Sequence, residues 1–169
     1  MMSTTRQDPD SAYDPAGDLQ LLRQGIQALT ESIEPLSTEA FLRPVTEWSP
    51  RDVMAHLIGW NMYTLDGCRD VPCGIVPFYL ADAQHDFRHV NAASVQRYSA
   101  TVKGALLDEL HATADALLSY LSALPAATWD RDYGVREPDG QPLLIRNEVA
   151  ALAADYSGHA HEVVAWTRR

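Results

Sequence analysis

Apolar residues recur at three- and four-residue steps over long stretches of the chain, a spacing typical of amphipathic helices. The first stripe consists of Leu19, Leu22, Ile26, Leu29 and Ile33. Asp14 is the predicted N-cap of this helix, with Pro15 as its first residue. Pro35 ends the pattern, and residues 38–42 can add one further helical turn.

The second helix has the clearest start in the sequence. Ser49 is a predicted N-cap, Pro50 suits the first helical position, and Asp52 complements the helix dipole. The inward stripe of this helix consists of Val53, His56, Leu57, Trp60 and Thr64. Two prolines and a glycine in 70–77 then predict a loop, and a shorter helix is predicted across 81–98.

A third long helix is predicted from about 103 to 124, where Pro125 closes it. Its apolar face consists of Leu106, Leu107, Leu110, Ala114, Leu117, Leu118 and Leu121. Residues 129–142 are rich in turn-forming residues, and a final helix spans about 143–167. Strand patterns are nearly absent. The sequence therefore predicts an all-α four-helix bundle with crossover connections over 14–169, preceded by a flexible leader over 1–13.

Composition fits one domain of this class. The chain has 169 residues, of which 46% are hydrophobic, enough to fill one core. No apolar run is long enough to cross a bilayer, and the first residues lack the apolar stretch of a secretory signal. Cys68 and Cys73 suggest two free thiols in a reducing cytoplasm, although one local disulfide or a soft metal ligand is an alternative. We therefore expect a cytoplasmic protein without a membrane partner.

The charge argues against a nucleic-acid partner. The net charge is −10, the sequence pI is about 4.8, and the basic residues are scattered along the chain. An acidic surface without a basic patch repels phosphate backbones. A small molecule is the expected partner.

The histidines of the last helix cannot all face one point. Residues two apart on a helix point roughly 160° from each other, so His159 and His161 cannot bind the same ion. The inward stripe consists of Val149, Leu152, Tyr156, His159 and Val163. We therefore place His159 inward and His161 outward. Asp155, four residues before His159, can pair with it on the same face.

His56 lies on the inward stripe of the second helix, so a bundle can bring it against Asp155 and His159. Two histidines and a carboxylate with open positions bind Zn, Fe, Ni or Mn in many proteins. The alternative is a satisfied core histidine beside a simple helical charge pair. His85 and His89, also four apart, are predicted to be a solvated pair, and we treat His111 as a surface residue.

Two segments resemble a known family. Residues 48–61 resemble the second-helix signature of the DinB/YfiT-like superfamily, and the run from His56 to Asn61 is especially similar to its ClbS/DfsB branch. The mycothiol-dependent maleylpyruvate isomerase-like branch has a looser version of this helix. A weaker similarity to ClbS-like proteins lies at Asp86–Phe87 and at 91–93. The resemblance covers roughly the whole chain after the leader and implies the DinB-like bundle.

The second segment, 155–163, resembles the closing helix of that superfamily. Metal-binding members carry one histidine on the second helix and two, four residues apart, on the last. Carried over to this chain, the resemblance implies His56 and His159 as ligands, with Asp155 in place of the remaining histidine. ClbS-like members do not rely on the full histidine triad.

Three functions follow as hypotheses. The first is a metal-dependent thiol transferase or hydrolase in which His56, Asp155 and His159 hold a divalent metal and activate water or a low-molecular-weight thiol against a small electrophile. The second is a metal-free, ClbS-like resistance hydrolase or binding protein for a reactive natural product, with Asp155 and His159 as a general acid–base pair. The third is a structural polar cluster without catalysis. The residues expected to shape the pocket are Trp60, Tyr63, Asn91 and Trp166. The resemblance also suggests a homodimer.

Overall fold

The computed structural model of this protein describes residues 13–81 and 87–168. Within these ranges the α-helices are α1 (Ala16–Ile33), α2 (Thr38–Leu42), α3 (Pro50–Asp70), α4 (Arg88–Arg97), α5 (Lys103–Ala123), α6 (Ala126–Trp129) and α7 (Ile145–Thr167). Two short 3-10 turns, Val71–Cys73 and Phe78–Leu80, follow α3. The predicted leader lies outside the described residues except for Tyr13, as do His85 and Asp86.

The four long helices, α1, α3, α5 and α7, form the predicted bundle. Helix α1 packs chiefly against α7 and also against α5, while α3 packs against α5 and α7. The chain therefore crosses the bundle between α1 and α3 and again between α5 and α7, which confirms the crossover connections. In the described part of the chain, β-structure is limited to one isolated bridge between Arg136 and Pro142. Along the same ranges, no helix combines the length and apolar content of a membrane span.

The start of α3 forms as the sequence predicts. The Ser49 Oγ accepts a hydrogen bond from the backbone N–H of Asp52, whose carboxylate accepts one from the backbone N–H of Ser49, so the pair makes a capping box. Burial alone would raise the pKa of Asp52, but hydrogen bonds from Ser49 and Arg51 hold it below its ordinary value. This cap fixes where α3 enters the bundle, about two turns before His56.

The start of α1 differs from the prediction. The helix begins at Ala16, and Pro15 is its N-cap rather than its first residue. The Asp14 carboxylate still accepts a hydrogen bond from the Ala16 N–H at 3.0 Å. The Tyr13 ring packs near Trp129, with their ring centroids 6.2 Å apart. The predicted residue Asp14 thus still bonds the first turn, but from one residue before the N-cap position.

Apolar residues from all four long helices fill the space between them. Helix α7 buries Val149, Leu152, Tyr156 and Val163, the apolar members of its predicted stripe. The largest fully buried side chains are Trp129, Tyr156, Phe41, Leu22, Leu29, Ile33, Met54, Leu57, Ile58, Leu106, Leu110 and Leu117. Burial on this scale is the main source of stability in such a bundle.

One polar network crosses this core. Asn61 is fully buried; its Oδ1 accepts a hydrogen bond from the Tyr156 hydroxyl at 2.9 Å, and its Nδ2 donates to Thr113 Oγ1 at 3.1 Å. The Thr113 hydroxyl in turn donates to the carbonyl oxygen of Glu109 at 2.9 Å. The network joins α3, α5 and α7, and it includes the tyrosine next to Asp155. Such buried networks fix the relative positions of helices when every member is satisfied.

Tyr156→Phe is expected to lower the free energy of unfolding by about 1–3 kcal/mol, because it leaves the buried Asn61 Oδ1 without its donor. Chemical denaturation measures the change. Tyr133→Phe is the matched control, since that ring packs under Arg131 near the surface and its loss of a hydroxyl should cost much less. Equal stability of Tyr156→Phe and the parent protein would contradict the role of the network.

Candidate functional site

The structure brings His56, Asp155 and His159 together. The imidazole of His56, on α3, places its Nε2 2.8 Å from Asp155 Oδ2, across to α7. The Nε2 of His159, one turn further along α7, lies 3.4 Å from the other carboxylate oxygen, Asp155 Oδ1. One donor atom from each residue lies within 4.8 Å of the others. Both imidazoles therefore direct the same ring nitrogen at one carboxylate.

The tautomer of His56 is set by its partner on α4. The indole Nε1–H of Trp60 can only donate, and it donates to Asn91 Oδ1 at 2.8 Å. The same oxygen lies 3.1 Å from His56 Nδ1, so that ring nitrogen must carry a proton and donate. His56 therefore holds its Nε2 toward Asp155, and its side chain is only 6% exposed.

His159 is oriented in a parallel way. Its Nδ1 lies 3.0 Å from Glu162 Oε2, a carboxylate that accepts the ring proton. The Trp48 indole covers both imidazoles, with ring centroids 4.8 Å from His56 and 6.0 Å from His159. Metal-binding histidines commonly have this arrangement, in which Nδ1 faces an oxygen acceptor and Nε2 is turned toward the other ligands.

The position of Asn91 depends on the close approach of α4 to α3. A Cβ at Gly59 would collide with Ser94 Oγ, so only glycine allows this approach. Ser94 Oγ lies 3.0 Å from the Tyr63 hydroxyl, which ties α4 to α3 one turn beyond Asn91. Gly59 of the predicted signature thus permits the Asn91–His56 contact.

A cavity of about 560 Å³ opens on this cluster, a volume typical of small-molecule sites. Asp155, which is 39% exposed, belongs to both the cluster and the cavity wall. Aromatic rings form one side: the Trp60 ring centroid lies 5.4 Å from that of Tyr79 and 5.3 Å from that of Phe87. The described residues of the lining are Trp60, Thr64, Tyr79, Leu80, Phe87, Glu137, Asn147, Glu148, Ala151, Leu152 and Asp155.

A second polar group, which the sequence reasoning missed, lies in this cavity. Glu148 precedes Asp155 by two helical turns, roughly 10 Å along α7, and accepts a hydrogen bond from the Tyr79 hydroxyl at 2.5 Å. Burial raises the pKa of Glu148, and the nearby Glu137 raises it further, while the Tyr79 hydrogen bond acts the other way. A Cβ at Gly67 would collide with the Tyr79 hydroxyl. The seven-residue spacing of Glu148 and Asp155 could have shown that both lie on the same face of α7. Nothing in the sequence indicated that Tyr79 would contact Glu148.

The other predicted pocket residues lie at differing distances from the cavity. Trp60 is in its wall, and Asn91 lies behind Trp60 and His56. The Tyr63 ring stands next to Trp60, at a centroid distance of 5.8 Å, and against Phe78. Trp166 instead packs under the guanidinium of Arg43, 4.7 Å from its ring centre, and is not among the described lining residues.

The remaining histidines and the cysteines lie elsewhere in the described structure. His161 is exposed and its ring lies 2.7 Å from the Ser157 carbonyl oxygen, while His111 is exposed beside Thr30. His89 is exposed on α4, and its predicted partner His85 is outside the described residues. Cys68 and Cys73 are free. Burial raises the pKa of the Cys68 thiol, which keeps it protonated and unreactive.

Fold and site together define a helical bundle with a two-histidine, one-carboxylate cluster at the mouth of an aromatic cavity. The sequence matches the DinB superfamily over residues 21–163. The chain therefore belongs to the DinB superfamily. No curated protein matches the sequence.

Solved structures of several DinB-like proteins share the fold. The colibactin self-resistance protein ClbS, determined in complex with double-stranded DNA, matches with a TM-score of 0.74 and 13% identity over 90% of this chain and 94% of that one. YfiT from Bacillus subtilis, described as a probable metal-dependent hydrolase with an unusual four-helix bundle topology, matches with a TM-score of 0.71 and 14% identity over 99% and 93%.

A mycothiol-dependent maleylpyruvate isomerase matches with a TM-score of 0.73 and 12% identity over 89% of this chain and 60% of that one. At these identities the likeness establishes the fold alone. The DNA in the ClbS structure belongs to that protein, and our expectation against nucleic acid for the present chain rests on its charge.

Proposed function

We propose that this protein holds a divalent metal at His56, Asp155 and His159 and uses the adjoining cavity to act on a small electrophile, as a thiol transferase or hydrolase. The observation that carries the proposal is the orientation of the two imidazoles. Each gives its Nδ1 proton to an oxygen, Asn91 Oδ1 or Glu162 Oε2, and each turns its Nε2 to the same carboxylate.

The donor set fits such a metal. Two imidazoles and one carboxylate with open positions suit Zn, Fe, Ni or Mn. A divalent metal bound there would act as a Lewis acid and lower the pKa of a bound water or thiol. Without a metal, each Nε2 atom that faces Asp155 would need a proton to make a favourable contact with the carboxylate, and the two rings lie only 5.4 Å apart.

The chain's own residues supply position and access. Asn91 and Glu162 hold the imidazoles, Trp48 covers them on one side, and Asp155 is partly exposed where the cavity begins. The apolar part of the wall excludes water from a bound electrophile. A thiol would come as a low-molecular-weight cofactor, because the buried Cys68 is unreactive and Cys73 is not among the described lining residues.

One observation favours a second candidate. His56 and Asp155 already form a close pair at 2.8 Å, tighter than the 3.4 Å between Asp155 and His159. In a metal-free hydrolase or binding protein for a reactive natural product, this cluster would serve as the general acid–base group. The homodimer and the cytoplasmic location expected from the sequence remain predictions.

Elemental analysis of protein purified without chelators tests the first proposal. We expect close to one equivalent of a divalent metal per chain. A chelator should remove this metal, and the protein should bind one equivalent again when the metal is added back. Protein that holds no metal after purification and shows no heat of binding with Zn, Ni, Mn or Fe would overturn it. Turnover of an electrophile that is unaffected by chelation would favour the second candidate. A protein with neither bound metal nor turnover, whose Asp155→Ala variant is less stable, would favour a structural polar cluster without catalysis.

A further inference from the structure

The cavity has a marked charge asymmetry. Three of its described lining residues are carboxylates, Glu137, Glu148 and Asp155, and none of the described lining residues is Lys, Arg or His. Asp155 has the two histidines as partners. The end of the cavity formed by Glu137 and Glu148, by contrast, has no cationic side chain in the described lining.

Glu148 is the carboxylate of this end that contacts the aromatic wall. The Tyr79 hydroxyl donates to it at 2.5 Å, and the second carboxylate nearby, Glu137, repels its charge. A carboxylate in a partly apolar site is normally paired with a cation, because burying an unpaired charge is costly. Glu148 instead has a second carboxylate, Glu137, near it, and both burial and Glu137 raise the pKa of Glu148. A cation bound beside Glu148 would favour the charged form of its carboxyl group.

The aromatic wall of the cavity also favours a cation. The ring faces of Trp and Tyr attract cations, and clusters of such rings are used in proteins to bind ammonium groups. Trp60 and Tyr79 meet edge to face, at an interplanar angle of 66°, and Phe87 stands at 89° to Trp60. These rings and Glu148 line the same cavity, so one bound group can contact both the aromatic wall and the carboxylate.

We infer that this protein selects substrates that carry an organic cation, an ammonium or guanidinium group seated between Glu148 and the rings of Trp60 and Tyr79. The reacting end of the same substrate then lies at Asp155, roughly 10 Å away along α7. Anionic substrates are excluded by the three carboxylates. The inference rests on the proposed function only for the reaction at that end, since cation binding itself needs no metal.

Calorimetry on chelator-treated protein at pH 7.5 tests the inference with three probes of similar shape: 2-phenylethylammonium, 2-phenylethanol and phenylacetate. The cation is expected to bind about 10-fold more tightly than the alcohol, which corresponds to roughly 1.4 kcal/mol, and phenylacetate more weakly than both. Equal affinities for cation and alcohol, or tightest binding of phenylacetate, would overturn the inference.

Glu148→Gln, which keeps the size and an acceptor for Tyr79, is expected to remove most of this preference and to leave the affinity for the alcohol unchanged. Glu39→Gln is the matched control, because it removes one negative charge from a residue of α2 outside the cavity. If Glu148→Gln does not fold, Glu137→Gln gives the same test with a smaller loss, and an unchanged preference in the folded variant contradicts the inference. A metal titration of the same samples reports on the proposed function separately, so either idea can fail alone.

Discussion

His56→Ala is expected to lower the affinity of this protein for a divalent metal by more than about 100-fold. The reason is that His56 supplies the only predicted ligand from α3, and without it the cluster keeps just Asp155 and His159, both from α7. Groups that merely orient metal ligands are worth about 10- to 100-fold in affinity, so loss of a ligand itself should exceed that range. Competition with a chromogenic zinc indicator measures the change.

A graded series makes the result specific. Asn91→Leu removes the oxygen that fixes His56 and should cost about 10- to 100-fold, less than His56→Ala. His161→Ala is the matched control, since that exposed histidine is bonded to the Ser157 carbonyl on the outside of α7. Circular dichroism confirms that each variant is folded. If His56→Ala and His161→Ala bind zinc alike, the metal proposal fails.

Periodicity was sufficient for the parts of the fold in which one apolar face is buried. The stripe on α7 placed His159 toward α3 and His161 away from it, because residues two apart on a helix cannot share a face. The cap at Ser49 formed as predicted because its hydrogen bonds are local to one turn. At α1 the same kind of reasoning placed the start of the helix one residue too early, because Pro15 is the N-cap and the Asp14 carboxylate bonds the Ala16 N–H from the residue before it.

The rest of the site depends on contacts between segments without strong periodicity. Helix α4 buries only Val90 and Ser94, so its sequence could not show that Asn91 would reach both His56 and Trp60. Tyr79 comes from a single 3-10 turn in a segment whose pattern predicts no regular element. Its bond with Glu148 requires the absence of a side chain at Gly67. Such features are fixed by packing between elements, which residue spacing along one helix does not encode.

Packing between α1 and α7 leads to the second prediction: Gly25→Val is expected to lower the free energy of unfolding by about 3 kcal/mol, at the upper end of overpacking costs. A Cβ at Gly25 would lie 2.9 Å from the Cβ of Tyr156 and 3.2 Å from the carbonyl oxygen of Ala153. Neither atom is the end of a flexible side chain. The two helices would therefore have to move apart. The higher helix propensity of valine offsets only a small part of this cost.

Gly158→Ala is the control for this change and should have the opposite sign. It also lies inside a helix, α7, but nothing is within 4 Å of the Cβ it would add. Relief of the glycine penalty alone should therefore stabilise the protein by about 0.5–1 kcal/mol. Thermal and denaturant unfolding of both variants provide the measurement, and stabilisation by Gly25→Val would contradict the close approach of the helices.

Gly25→Val should also affect the candidate metal site. Asp155 lies between Ala153 and Tyr156, the two residues that a Cβ at Gly25 would meet. Movement of α7 away from α1 would shift Asp155 and His159 together relative to His56, which is held separately through α3 and Asn91. Gly25→Val that remains folded is therefore expected to bind zinc more weakly than Gly158→Ala. Unchanged zinc affinity in a destabilised Gly25→Val would show that α1 supports the bundle without positioning the cluster.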